Sequence, residues 1–177
     1  PGSNVINGKN ILISDIGLTR SVVSTGGCGV YMSPSGGYDY ITFRSMRVSN
    51  QWDGFCLSTA YIAWINDVAA INNYNNGFTF SGGKAPWVSI YQYAMKTVNA
   101  FYNNGYGIYV TANNMPGMQG ATWSDLSLFA NKKANLSYTS GGASGSFSDI
   151  YLSNLEASNS CSNNVEIDAS IKGLTNY

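Results

Sequence analysis

The stretch Tyr61–Phe80, YIAWINDVAAINNYNNGFTF, decides how this chain folds. Its small or apolar residues Ala63, Ile65, Val68 and Ala70 follow the spacing apolar-x-apolar-x-x-apolar-x-apolar. Alternation with period two places each pair on one face of a short strand. The two-residue gap at Asn66-Asp67 interrupts that alternation, so the chain must bend there to keep apolar groups pointing inward. The polar run Asn72 to Asn76, closed by Gly77, marks a second bend, because Asn and Gly tolerate left-handed backbone geometry at low cost. Phe78 and Phe80 then alternate again. Three short strands separated by bends, all facing one interior, describe a rung of a β-solenoid.

The same pattern recurs along the chain. Inward positions of the first two strands align as Ile11, Ile13, Ile16, Leu18; Ile41, Phe43, Met46, Val48; and Ala63, Ile65, Val68, Ala70. They continue as Val88, Ile90, Tyr93, Met95; Ala121, Trp123, Leu126, Leu128; and Gly145, Phe147, Ile150, Leu152. The third strand supplies Val30 and Met32, Phe55 and Leu57, Phe78 and Phe80, Ile108 and Val110, Leu136 and Tyr138, Val165 and Ile167. The copies start 22 to 33 residues apart, an irregularity that suits a β-helix whose turns carry loops rather than a helical repeat. Gly, Asn, Ser and β-branched residues crowd every window and oppose helix. The expected fold is all-β: a right-handed parallel β-helix (a single-stranded β-solenoid) of about six rungs, its hand following from the chirality of parallel crossovers. Asn recurring in one bend is expected to stack into an amide ladder, a stabilising device of stacked parallel strands. Pro1-Gly2-Ser3 reads as a remnant of tag cleavage, leaving residues 4–177 as one β-helix domain. The opening of a further rung at Ile171 to Leu174 suggests a fragment of a longer chain.

Charge is scarce and balanced, nine basic against nine acidic residues, which argues against nucleic acid as the main partner. No apolar run reaches transmembrane length, so no membrane insertion is expected. The absence of histidine removes Ser-His-Asp and Cys-His catalysis and the commonest zinc ligand. No phosphate-binding Gly loop follows a strand and opens a helix, and neither a cofactor nor a metal is expected. Cys28, Cys56 and Cys161 form no CxxC pattern and read as three unpaired thiols.

Chemistry is then left to carboxylates. The first bend lines up Asp15, Ser45, Asp67, Gln92, Asp125 and Asp149 in successive rungs. Asp125 and Asp149 would stack one rung apart, and Asp67 and Asp125 two rungs apart, at about 4.8 and about 9.6 Å. Those separations approach the roughly 5 Å and 6.5–9.5 Å of carboxylate pairs in glycoside hydrolysis. Asp53, beside Trp52 in the second bend, is a further candidate carboxylate. The competing reading is that Asp in a tight bend simply bonds local backbone N–H groups. Trp52, Trp64, Trp87 and Tyr91 stand off the inward pattern, where aromatic faces can stack on sugar rings or fill a subunit interface. Arg47, also off the inward pattern, could hold an acidic sugar.

The rung pattern, with Ser14-Asp15-Ile16, Ser124-Asp125-Leu126, Ser148-Asp149-Ile150 and the bends Asn76-Gly77 and Asn104-Gly105, resembles the parallel β-helix of pectate-lyase-like proteins. Its irregular turns and Ser/Asn/Tyr/Gly-rich, histidine-free surface are similar to bacteriophage tailspikes and tail fibres. That resemblance implies a homotrimer in the virion tail that binds bacterial surface polysaccharide and often cleaves it. A secreted monomeric lyase or hydrolase and a purely structural shaft segment are the alternatives. Catalytic residues differ from one tailspike to the next, so none is carried over.

Overall fold

The computed structural model describes residues 4–6, 10–22, 25–33, 38–58, 60–81, 92–111, 117–139, 146–148 and 150–167. Among the described residues fifteen strands follow one another and there is no helix. They are β1 (Asn4–Ile6), β2 (Ile11–Thr19), β3 (Cys28–Met32), β4 (Tyr38–Ser49), β5 (Asp53–Leu57), β6 (Ala60–Ile71), β7 (Phe78–Ser81) and β8 (Gln92–Phe101). The remainder are β9 (Ile108–Thr111), β10 (Gly117–Gln119), β11 (Thr122–Phe129), β12 (Leu136–Thr139), β13 (Ser146–Ser148), β14 (Tyr151–Ser158) and β15 (Val165–Ile167).

Every described pairing is parallel, and the strands form a solenoid. A six-stranded sheet runs β2-β4-β6-β8-β11-β14, facing a seven-stranded sheet β1-β3-β5-β7-β9-β12-β15, with β10 and β13 paired separately. About four turns are complete, slightly fewer than the six expected. The central strands β4, β6, β8 and β11 have a neighbour on each side and bury their inward residues almost completely. At the ends burial weakens: Ile16 is 40% exposed, Val165 41% and Ile167 47%.

Inward positions match the expected pattern in the rungs that start at Ile41, Ala63 and Ala121. Rungs four and six differ. The inward residues of β8 are Tyr93, Met95, Val98 and Ala100, and Ile150, Leu152, Leu155 and Ala157 fill the same places along β14. Both are displaced five residues from the sequence alignment. The cause is self-similarity, because Tyr93 and Met95, or Ile150 and Leu152, satisfy either half of the motif. Cross-strand hydrogen bonding selects the frame: Ile65 pairs with Phe43 on one side and Met95 on the other.

The displaced frame also resets the first bend. Its column is Asp15, Ser45, Asp67, Thr97, Asp125 and Asn154, all at φ between 50 and 59°. Thr97 replaces the expected Gln92, and Asn154 takes the place assigned to Asp149.

The second bend holds the expected amide ladder. Asn73, Asn103 and Asn131 are fully buried, and Asn103 Oδ1 accepts from the backbone N–H and side-chain amide of Asn73 at 3.1 and 2.8 Å. Asn131 Oδ1 accepts from Asn103 in the same manner at 3.1 and 2.8 Å. Spare amide hydrogens go to the carbonyls of Ala70 and Ala100. Beside the ladder, a Cβ on Gly77 would lie 2.6 Å from the Gly107 carbonyl and 2.9 Å from Asn103 Nδ2. Only glycine fits that approach. Phe55 and Phe78 stack within the core, centroids 4.8 Å apart.

Cys28 and Cys56 are not free thiols. They form a disulfide between β3 and β5, with Cα atoms 5.9 Å apart, and among the described residues Cys161 is the free, exposed cysteine. Stacking of adjacent rungs brings the two residues together although 28 positions separate them.

Candidate functional site

The first bend leaves its side chains exposed or half-buried, because the left-handed backbone itself makes the turn. Asp15, Ser45 and Asp67 therefore line one shallow groove of about 340 Å³, together with Ile16, Gly17, Met46, Arg47 and Ala69. Ser45 Oγ donates to Asp67 Oδ2 at 3.1 Å. Arg47 is exposed and stands in register between Gly17 and Ala69, small neighbours that leave its stem room to lie across the sheet. Asp15 and Asp67 are two rungs apart, a backbone separation of about 9.6 Å.

Asp125 occupies the same column farther along, two rungs beyond Asp67, with Thr97 between them. Its Oδ1 accepts from Asn154 Nδ2 at 2.7 Å. Carboxylates thus alternate with hydroxyl or amide residues up the column, and no two of them are stacked directly. Asn154 is the residue next to Asp125 in this column, and Asp149, the partner expected from the sequence, lies outside the described residues.

Three residues before Asp67 along β6, Trp64 is 38% exposed and lies nearly parallel to Tyr40, itself 40% exposed, with centroids 6.2 Å apart and an interplanar angle of 15°. A second groove of about 320 Å³ is lined by these rings and by Asn10, Ile11, Leu12 and Thr42. Leu12, Thr42 and Trp64 share one register line, so the apolar strip crosses successive rungs. At about 3.3 Å per residue, the aromatic and carboxylate grooves stand roughly 10 Å apart along the strands.

Asp53 and Trp52 are half-buried rather than on an open turn. Asp53 Oδ1 accepts from the Asn76 backbone N–H and from Asn75 Nδ2, each at 2.9 Å, and so ties its own rung to the next. Burial raises the Asp53 pKa above its ordinary value, and the hydrogen bonds from Asn76, Asn75 and Thr79 oppose that rise. Trp52 contributes its carbonyl, which accepts from Asn75 N at 2.7 Å. The structure therefore brings Asp67 and Arg47 into one groove with Trp64 nearby, and sets Asp53, Trp52 and Asp125 apart from it. Trp87 and Tyr91 lie outside the described residues.

A cluster on the other sheet escaped the sequence reading. Tyr106 and Tyr109 stack at 4.7 Å, and Lys133 Nζ lies 5.0 Å from the Tyr106 ring centre. Desolvation first, then the charge of Glu166 and the neighbouring Tyr109, raise the Tyr106 pKa. Tyr106, Lys133 and Glu166 come from successive rungs, so only an alignment carried through the second bend would have juxtaposed them.

Compared with known proteins, the chain matches no family model, no curated protein and no solved structure.

Proposed function

We propose that this chain is a glycan-recognition segment of a tailspike-like or tail-fibre-like β-helix, acting in a homotrimer of the virion tail on bacterial surface polysaccharide. The observation that carries the reading is the exposed, nearly parallel Tyr40–Trp64 pair beside a groove lined by Leu12 and Thr42. Aromatic faces with few charges around them suit the C–H faces of a neutral or weakly charged sugar. Arg47, in the neighbouring groove, supplies a partner for an occasional acidic group.

A hydrolytic role draws on one further feature, the placement of Asp15 and Asp67 two rungs apart in that groove. Their backbone separation of about 9.6 Å suits a general acid and a general base with water between them. In that scheme one carboxyl protonates the leaving oxygen and the other activates the water.

The test is titration of the intact assembled protein with host-surface polysaccharide. Trp64→Ala should weaken binding about tenfold or more while leaving the melting temperature nearly unchanged. Unaltered binding in Trp64→Ala and Tyr40→Ala would overturn the site. The paired change Asp15→Asn with Asp67→Asn should abolish release of reducing ends yet preserve binding; retained cleavage would place the chemistry elsewhere. A full-length protein that sediments as a monomer and cleaves would favour the secreted enzyme. A trimer that binds no glycan would favour the structural shaft.

A further inference from the structure

Beside the disulfide lies a third ligand-bearing group. The sulfurs of Cys28 and Cys56 and a carboxylate oxygen of Asp53 all lie within 4.8 Å of one another. Cys28 is buried, and the other two are half-buried. Parallel pairing of β3 with β5 holds the backbone of all three residues, with Cys28 opposite Asp53 and Tyr31 opposite Cys56. The Asp53 carboxylate is positioned by the Asn75 side chain and the Asn76 backbone, so it need not be ordered when a ligand arrives.

We infer that reduction converts this cluster into a binding site for a divalent cation of borderline softness, with zinc as the best fit. Two molecules of a thiol reductant supply two electrons and two protons. The Cys28–Cys56 bond opens to two thiols, and the reductant leaves as its own disulfide. The cation then displaces both thiol protons and binds two thiolates and the Asp53 carboxylate. Two sulfurs and one oxygen give three protein ligands in a tetrahedral set, with the fourth position open to water. Thiolates select zinc over magnesium or calcium, which prefer all-oxygen sites. Rotation of the cysteine side chains suffices to part the sulfurs, because the two strands stay hydrogen-bonded to each other. The same two rungs are then cross-linked under both conditions, by a disulfide when oxidising and by a metal when reducing.

The experiment uses the full chain carrying Cys161→Ser, which removes the exposed thiol, and cobalt(II) as a spectroscopic stand-in for zinc. After reduction with a dithiol and its anaerobic removal, thiol titration should count two free groups per chain. Cobalt should then bind with one-to-one stoichiometry, showing a thiolate charge-transfer band and tetrahedral d–d bands that zinc abolishes. Asp53→Asn should weaken cobalt binding about tenfold or more, as loss of one of three ligands requires. The oxidised protein, whose fold is the one described above, should bind none. Two free thiols without a charge-transfer band would overturn the proposal, as would equal binding by the oxidised protein. Unchanged cobalt affinity in Asp53→Asn would remove the carboxylate from the site and overturn the three-ligand assignment.

Discussion

The bend through Asp15, Ser45, Asp67, Thr97, Asp125 and Asn154 and the bend through Gln51, Asn73, Asn103 and Asn131 each recur once per rung, on opposite principles. In the first, a single left-handed residue reverses the pleat, and six residues of four types occupy the position at nearly the same φ. Backbone conformation does the turning, so the side chains face water and are open to variation. In the second, left-handed Asn50, Asn72, Tyr102 and Ala130 are each followed by a buried amide residue, and the backbone N–H groups of Gln51, Asn73 and Asn103 each donate to the side-chain oxygen of the amide one rung on. There the side chain satisfies backbone groups that would otherwise be buried unpaired. The two grooves on which the proposed glycan site rests lie along the sheet that carries the first bend, where the turn is made by backbone conformation.

The contrast can be broken most severely at the ladder. Asn103→Leu removes the acceptor for both Asn73 donors and the donor to Asn131 and Ala70. The loss should reach about 4 kcal/mol or more, since several buried polar groups are left unpaired at once. Denaturant unfolding checks it, and a shift under about 1 kcal/mol would show that water can replace the amide. Gly77→Ala comes next, at about 2–3 kcal/mol, because its Cβ meets the rigid Gly107 carbonyl rather than a movable side chain. The equivalent insult at the first bend should do little: Asp67→Asn keeps a residue suited to left-handed geometry and should change stability by about 0.5 kcal/mol or less.

One first-bend change should even stabilise the protein. Thr97 is β-branched at φ 54°, where such side chains are crowded, so Thr97→Asn should gain about 0.5–1 kcal/mol. A loss in thermal unfolding would mean that the threonine hydroxyl takes part in the column. The subtlest effect concerns pH. Asp53 has a folded-state pKa above its ordinary 3.8, so between the two values the folded chain holds a proton that the unfolded chain has released. Stability from this group is therefore greatest below pH 3.8 and falls as pH rises through the folded value. Asp53→Asn should gain on the parent protein as pH climbs through that window, and parallel melting curves for the two would contradict the sign.

Much of this fold was legible in residue order. Period-two pairs such as Phe78 and Phe80 must share a face, and Asn-Asn-Gly must turn, because pleat geometry and left-handed propensity are properties of a few neighbouring residues. The core of three rungs and the buried ladder followed from that local logic. Tertiary structure alone decided the rest. The motif at Tyr93-x-Met95 fits two frames equally well, and only hydrogen bonding to β6 and β11 selects one. That choice moved Thr97 and Asn154 into the carboxylate column, and with it the choice of which aspartates could act together. It takes the stacking of β3 on β5 to bring Cys28 to Cys56 and Asp53, since spacing along the chain carries no information about distance across irregular turns. Likewise Tyr40 meets Trp64, its diagonal neighbour, only because β4 lies beside β6: such cross-strand pairs are a property of register, and register is settled between strands, not within them.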